Sequence, residues 1–196
     1  KFGNKLKINR RIISDNHSIG GIPNNRTTML IIPIVTSTGL TMIKTSSRSI
    51  TSSSGTADTM ESLAQVKFSV KKIMSIIKKV NGCIVWGGAL DLATADERLI
   101  KVRHPLRLDP KGILLSSILA KKLSVGSTHL LIDIPVGKTA KVKNKKEARS
   151  LKKAFLKLSK QLKIKCNVVI TDGSQPIGNG IGPNLEARDV LNVLMG

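Results

Sequence analysis

Five short apolar or β-branched runs, bounded by Gly, Pro, Asn or Asp, alternate along this chain with stretches whose apolar residues return every three or four positions. Arg11–Ser14, Thr41–Thr45, Cys83–Trp86, His129–Ile134 and Asn167–Ile170 read as buried strands. Between them, Val70–Val80 sets Val70, Ile73, Met74 and Ile77 on one helical face, and Ile113–Lys122 and Lys146–Leu162 keep the same period. Thr28–Thr38 reads equally as helix or strand, because Pro33 sits inside it. The alternation implies an α/β fold, a central sheet flanked by helices, since strands this apolar need both faces covered. No repeat and no linker divides the chain, so residues 1–196 read as one central α/β domain.

The composition narrows the function classes. A chain of 196 residues that is 40% hydrophobic supplies one sizeable core. No apolar run reaches the ~20 residues that span a bilayer, and the opening KFGNKLKINRR lacks the apolar centre of a secretory signal. The expectation is a soluble, cytoplasmic protein with no membrane partner. Cys83 and Cys166 have neither metal-ligand nor disulfide-framework spacing, and His17, His104 and His129 are scattered, so no metal is expected. The net charge of +21, from 33 Lys and Arg against 12 Asp and Glu, raises nucleic acid as a partner. Much of the excess, however, falls between Leu151, Phe155, Leu158 and Leu162 on the solvated face of an amphipathic helix. Aromatics are 2% of residues and Tyr is absent, so stacking platforms for bases are nearly missing. Nucleic acid is therefore not the expected partner, and a basic nucleic-acid-binding module stands as the alternative from a different class.

Ligand chemistry in α/β folds concentrates in the loops that leave the strand ends. SDNHSIGGIPNNRTT, Ser14–Thr28, carries Gly20 and Gly21, which suit either an anion cradle or a plain glycine turn. KTSSRSITSSSGTADTMES, Lys44–Ser62, is rich in hydroxyls and runs into a helix start with capping-box spacing from Asp58 to Glu61. Its hydroxyls and the nearby amides can hold a phosphate or can cap their own helix. In His104–Leu123, Asp109 precedes Pro110 near a helix start, and Ser117 and Lys121 lie four apart on one face. Asp109 suits a helix N-terminus or an acid directed at a polar heterocycle. GKT at Gly137–Thr139 is no P-loop, because Ile132 stands where the first glycine belongs, and GNGIGP at Gly178–Pro183 ends in proline where a dinucleotide fingerprint needs glycine.

Taken in order, SDNHSIGGIPNNRTT, KTSSRSITSSSGTADTMES, GCIVWGGALDLATAD, LLSSILAKKLSVGSTHLLIDIPVG and QPIGNGIGPNLEARD closely resemble the thymidine and pyrimidine-nucleoside phosphorylase family, in the type-2 branch close to AMP phosphorylase. The resemblance covers nearly the whole chain. It implies the phosphate-binding core domain of the nucleoside phosphorylase and phosphoribosyltransferase type, as a fragment of a larger chain with a helical lobe and a C-terminal domain, homodimeric at full length. It also implies a pentosyltransferase that uses inorganic phosphate as co-substrate, without a cofactor, to release a base from thymidine or, as the alternative, from AMP. By resemblance, Gly21, Ser47, Arg48, Ser49, Ile50, Thr51, Ser52 and Thr56 match phosphate or nucleotide-binding positions, with Ser117 and Lys141. Asp109 matches the proton donor of the AMP branch and His17 the histidine beside the phosphate loop. Ser18, Ser46 and Lys121 match site-lining positions, and Arg103 a base-contacting arginine.

Two departures stand out. Where the family reads Asp-Lys-His-Ser, this chain has Asp15, Asn16, His17 and Ser18, so a phosphate-contacting lysine is replaced by a neutral amide. Asn24 replaces a glycine, and Asn is the best substitute if the position needs positive φ. A phosphoribosyltransferase shares the fold type, but the acidic metal-binding pair it needs is not evident in the right loop.

Overall fold

The computed structural model describes residues 6–20, 26–49, 52–89 and 110–196. Five strands, β1 (Ile13–Ser18), β2 (Thr41–Ser46), β3 (Gly82–Trp86), β4 (His129–Val136) and β5 (Lys165–Asp172), form one sheet in the order β3-β2-β1-β4-β5. Every pairing is parallel. The helices are α1 (Thr27–Ser37), α2 (Thr56–Glu61), α3 (Val70–Val80), α4 (Lys111–Ser124), α5 (Lys145–Gln161) and α6 (Pro183–Met195).

Local chemistry accounts for the element ends. The Ser69 hydroxyl accepts the Lys72 amide to start α3, and Asn81 ends it in the left-handed region at φ 59°. Asn144 caps α5 by accepting the Glu147 amide at 2.9 Å. The ambiguous stretch around Pro33 is helical, and Pro33 sits inside α1. Downstream of it, the hydroxyls of Thr36, Ser37 and Thr38 donate back to carbonyls three or four residues earlier.

Two apolar cores lie against the sheet. Leu119, Ile132, Ile134, Leu151, Phe155 and Val168 join α4 and α5 to β4 and β5. Ile43, Ile73, Ile77 and Val85 join α3 to β2 and β3. All six residues of β2 are buried, as expected of a strand covered on both faces.

The strand order reverses between β1 and β4, which places the switch point of the sheet at the carboxyl ends of these two strands. Here β1 holds five partners on β4, Ser14 through Ser18, but only Ile13 and Ser14 pair with β2. Beyond Ser14 the β1–β2 ladder opens, and side chains fill the gap. Strand β1 also runs further than Arg11–Ser14, because Asp15–Ser18 continue the strand and do not form a loop.

Candidate active site

The carbonyl of Asn16, left without a β2 partner, receives two amines. Lys44 Nζ donates to it from β2 at 2.7 Å, and Lys122 Nζ from α4 at 3.0 Å. Lys122 also donates to Asp15 Oδ1 at 2.7 Å, and Ser127 Oγ donates to Asp15 Oδ2 at 3.1 Å. All three ionisable side chains are buried. Two amines thus share one carbonyl, and one of them also holds the carboxylate. Burial first, then the Lys122 ammonium, holds the Lys44 amine well below the usual ammonium range, against the opposing pull of Asp15.

His17 follows directly on β1. Its imidazole is held well below the ordinary histidine value, first by burial and then by the charges of Lys44, Lys122, Lys121 and Lys141. Four lysines from β2, α4 and the segment after β4 therefore converge electrostatically on one neutral ring. Lys121 Nζ donates to Ser117 Oγ at 2.8 Å, which confirms that the two share a helical face. Ser18 Oγ donates to Asp133 Oδ2 at 2.8 Å, and Thr171 Oγ1 to Asp133 Oδ1 at 2.5 Å, so the ends of β1, β4 and β5 are tied at one carboxylate.

The hydroxyl-rich segment folds back on itself. Asp58 Oδ2 accepts the amides of both Ser49, at 2.8 Å, and Gly55, at 2.9 Å. Gly55 is the N-cap of α2 and Asp58 its third residue, so the capping carboxylate is Asp58 and Thr56 is already inside the helix. A Cβ on Gly55 would stand 2.8 Å from the Ser47 carbonyl oxygen, so the closure of the loop needs glycine for space. Ser46 Oγ donates to the Ser47 carbonyl and Ser52 Oγ to the Ser54 carbonyl. Arg48 turns toward α2: Nη1 pairs with Asp58 at 3.0 Å and with Glu61 at 2.5 Å, Nη2 meets Glu61 at 3.0 Å, and the guanidinium stacks 5.0 Å over the Trp86 ring.

The structure therefore brings His17, Ser117, Lys121 and Lys141 into one electrostatic neighbourhood and stations Ser18 and Ser46 at adjacent strand ends. Ser47, Arg48, Ser49, Ser52 and Thr56 belong to the stapled loop and helix start that follow β2. Gly21, Ile50, Thr51, Arg103 and Asp109 lie outside the described residues. Reading the sequence missed Asp15, Lys44, Lys122 and Asp133. Burial pushes the Cys83 thiol up to about 12, and that of Cys166 up as well, so neither suits a nucleophile. Among the described residues, no cluster of His, Cys, Asp and Glu could hold a metal ion, and no helix is long and apolar enough to cross a membrane.

The buried amines and His17 thus cluster near the carboxyl end of β1, the part of an open parallel α/β sheet where ligands bind. Residues 10–194 match the model of the glycosyl transferase family, a/b domain, and the chain belongs to that family. It is 55% identical over 194 residues to a Nitrobacter hamburgensis protein named "Putative thymidine phosphorylase", covering 99% of this chain and 38% of the relative. It is 53% identical over 193 residues to the AMP phosphorylase of Pyrococcus horikoshii, again covering 38% of the relative. The chain thus spans well under half the length of these relatives. Anthranilate phosphoribosyltransferase from Thermus thermophilus shares the fold, with a TM-score of 0.67 at 17% identity over 91% of this chain and 50% of that one.

Proposed function

We propose that this chain is the phosphate-handling core of a pentosyltransferase that cleaves a pyrimidine nucleoside, thymidine foremost, by phosphorolysis. The observation that carries the reading is the pair of buried amines, Lys44 and Lys122, gathered on the Asn16 carbonyl of β1 next to His17. Such a cluster suits a dianion, and the neutral imidazole beside it can donate a hydrogen bond without adding charge.

In the reaction, a phosphate oxygen forms a bond to C1′ of the sugar as the C1′–N bond breaks. The bonding pair leaves with the base, which takes up a proton. The products are the free base and the pentose 1-phosphate. The sugar gains oxocarbenium character, so fixed phosphate charge near C1′ is the main electrostatic aid. Lys121 and Ser117 are proposed to contact the substrate, and Asp109 is proposed as the proton donor to the base. Phosphate acts as co-substrate and no cofactor is invoked.

A second reading keeps the chemistry and takes a nucleoside 5′-monophosphate. The 53% identity to a protein named AMP phosphorylase favours it. Arg48 and Lys141 are the residues proposed to serve the 5′-phosphate in that case. Saturation of the full-length protein with thymidine against AMP, at fixed phosphate, separates the two. A higher kcat/KM for AMP would displace the thymidine reading.

A further inference from the structure

The glycine-rich turn at Gly178–Gly182 closes around an ion pair. Arg26, at the start of α1, is 2% exposed; its Nη1 donates to Asp189 Oδ2 of α6 and its Nη2 to the Gly180 carbonyl. The same carboxylate oxygen accepts the amides of Asn179 at 2.9 Å and Gly180 at 2.7 Å. Gly178 sits at φ +77°, and a Cβ there would come within 2.5 Å of both Arg26 Nη1 and Asp189 Oδ2. The turn therefore needs glycine both for its backbone conformation and for its closeness to the pair.

The other end of this arrangement reaches the lysine cluster. Two residues after Arg26, Thr28 Oγ1 donates to Asn16 Oδ1 at 3.4 Å. Asn16 in turn offers its carbonyl to Lys44 and Lys122. A continuous set of polar contacts and one helical turn thus joins α6 to the amines around His17.

We infer that Arg26 and Asp189 are positioning residues for the anion site: their clamp fixes the first turn of α1, which holds Asn16 and, through its carbonyl, the paired amines of Lys44 and Lys122. The inference rests on the phosphorolysis reading. It makes α6 a determinant of phosphate affinity although Asp189 stands 163 residues from Arg26 in sequence. A purely structural clamp would stabilise α6 against α1 and leave phosphate affinity alone.

The test uses the full-length protein, with Asp189→Asn, Arg26→Lys and the apolar double variant Arg26→Met with Asp189→Leu. Replacing a buried ion pair by apolar side chains often preserves stability, but here it also removes the acceptor of the Asn179 and Gly180 amides, so the double variant counts only where its melt shows that it folds. Arg26→Lys keeps the charge but loses the two-pronged fork, and serves if the double variant does not fold. The variants are expected to raise the KM and the calorimetric Kd for inorganic phosphate by about tenfold, with kcat at saturating phosphate nearly unchanged. Wild-type phosphate affinity in a folded variant overturns the inference. Should the wild type neither turn over nor bind phosphate, the phosphorolysis reading fails and the clamp is judged by the His17 imidazole resonance. A shifted His17 titration in Asp189→Asn upholds positioning, and an unmoved one overturns it.

Discussion

Lys122 Nζ and Asp15 Oδ1 lie 2.7 Å apart with side chains 1% and 0% exposed, an ion pair sealed beneath the strand that carries His17. Lys44 faces the same carboxylate, and burial and the Lys122 charge hold its amine well below the usual ammonium range. An anion arriving at the end of β1 would favour its charged form.

Removing Asp15 tests the ion pair. Asp15→Asn leaves the Lys122 ammonium buried without a carboxylate and is expected to cost about 3–5 kcal/mol of stability. Lys122→Met strands Asp15 and should cost a similar amount. The double substitution should cost less than the sum, because neither charge is then left alone. Urea unfolding of the four proteins measures the cycle.

The lowered pKa of His17 fixes a sign. The folded protein resists protonation of the ring that the unfolded chain accepts near its ordinary value of 6.5. As pH falls through 6.5 the unfolded state binds the proton first, so stability drops until the folded ring also titrates, and is flat below that. His17→Gln should remove this part of the pH dependence. The difference between the two unfolding profiles, read from pH 7.5 downward, measures it. Saturating phosphate should raise the His17 pKa followed by NMR.

The stapled loop depends on one carboxylate. Asp58→Ala deprives the Ser49 and Gly55 amides of their acceptor and is expected to cost about 1–3 kcal/mol. Gly55→Ala should destabilise by a different route, since the added Cβ meets the Ser47 carbonyl at 2.8 Å. Both should raise the rate of limited proteolysis between residues 46 and 55, whereas Glu61→Gln, at an exposed pair, should leave it nearly unchanged.

Asn16 stands where the family resemblance implies a lysine. Its side chain accepts from Thr28 and its carbonyl takes two amines, so Asn16→Lys adds a third cation to a crowded group. The variant should be less stable than wild type without phosphate. It should gain more from added phosphate, up to the roughly 1.5–3 kcal/mol of a charge-assisted hydrogen bond. Thermal melts with and without phosphate measure both terms.

Elements with a clean apolar period were legible in the sequence. Val70–Val80 is α3 at both ends, and β2, β3 and β4 start within a residue of their apolar runs. Strand β1 was displaced because Asp15, Asn16, His17 and Ser18 are polar and resemble a loop; only tertiary partners such as Lys122 and Ser127 make them a buried strand. Helix α6 was legible only as a motif, since its stability comes from packing on α1 and α2 and from the Arg26 clamp. Nothing local marks Lys122 as buried, since its partner Asp15 sits 107 residues away, and Lys44 reaches its acceptor on a neighbouring strand 28 residues earlier. The hydroxyl-rich loop was found from composition, but its staple by Asp58 follows from a fold-back that spacing does not show.

The decisive experiment is base release from thymidine by the full-length protein, with and without inorganic phosphate. Phosphorolysis yields thymine and deoxyribose 1-phosphate in equal amounts, only when phosphate is present, with saturation in phosphate. Base release at the same rate without phosphate, or no release at any phosphate concentration from either thymidine or AMP, would contradict it.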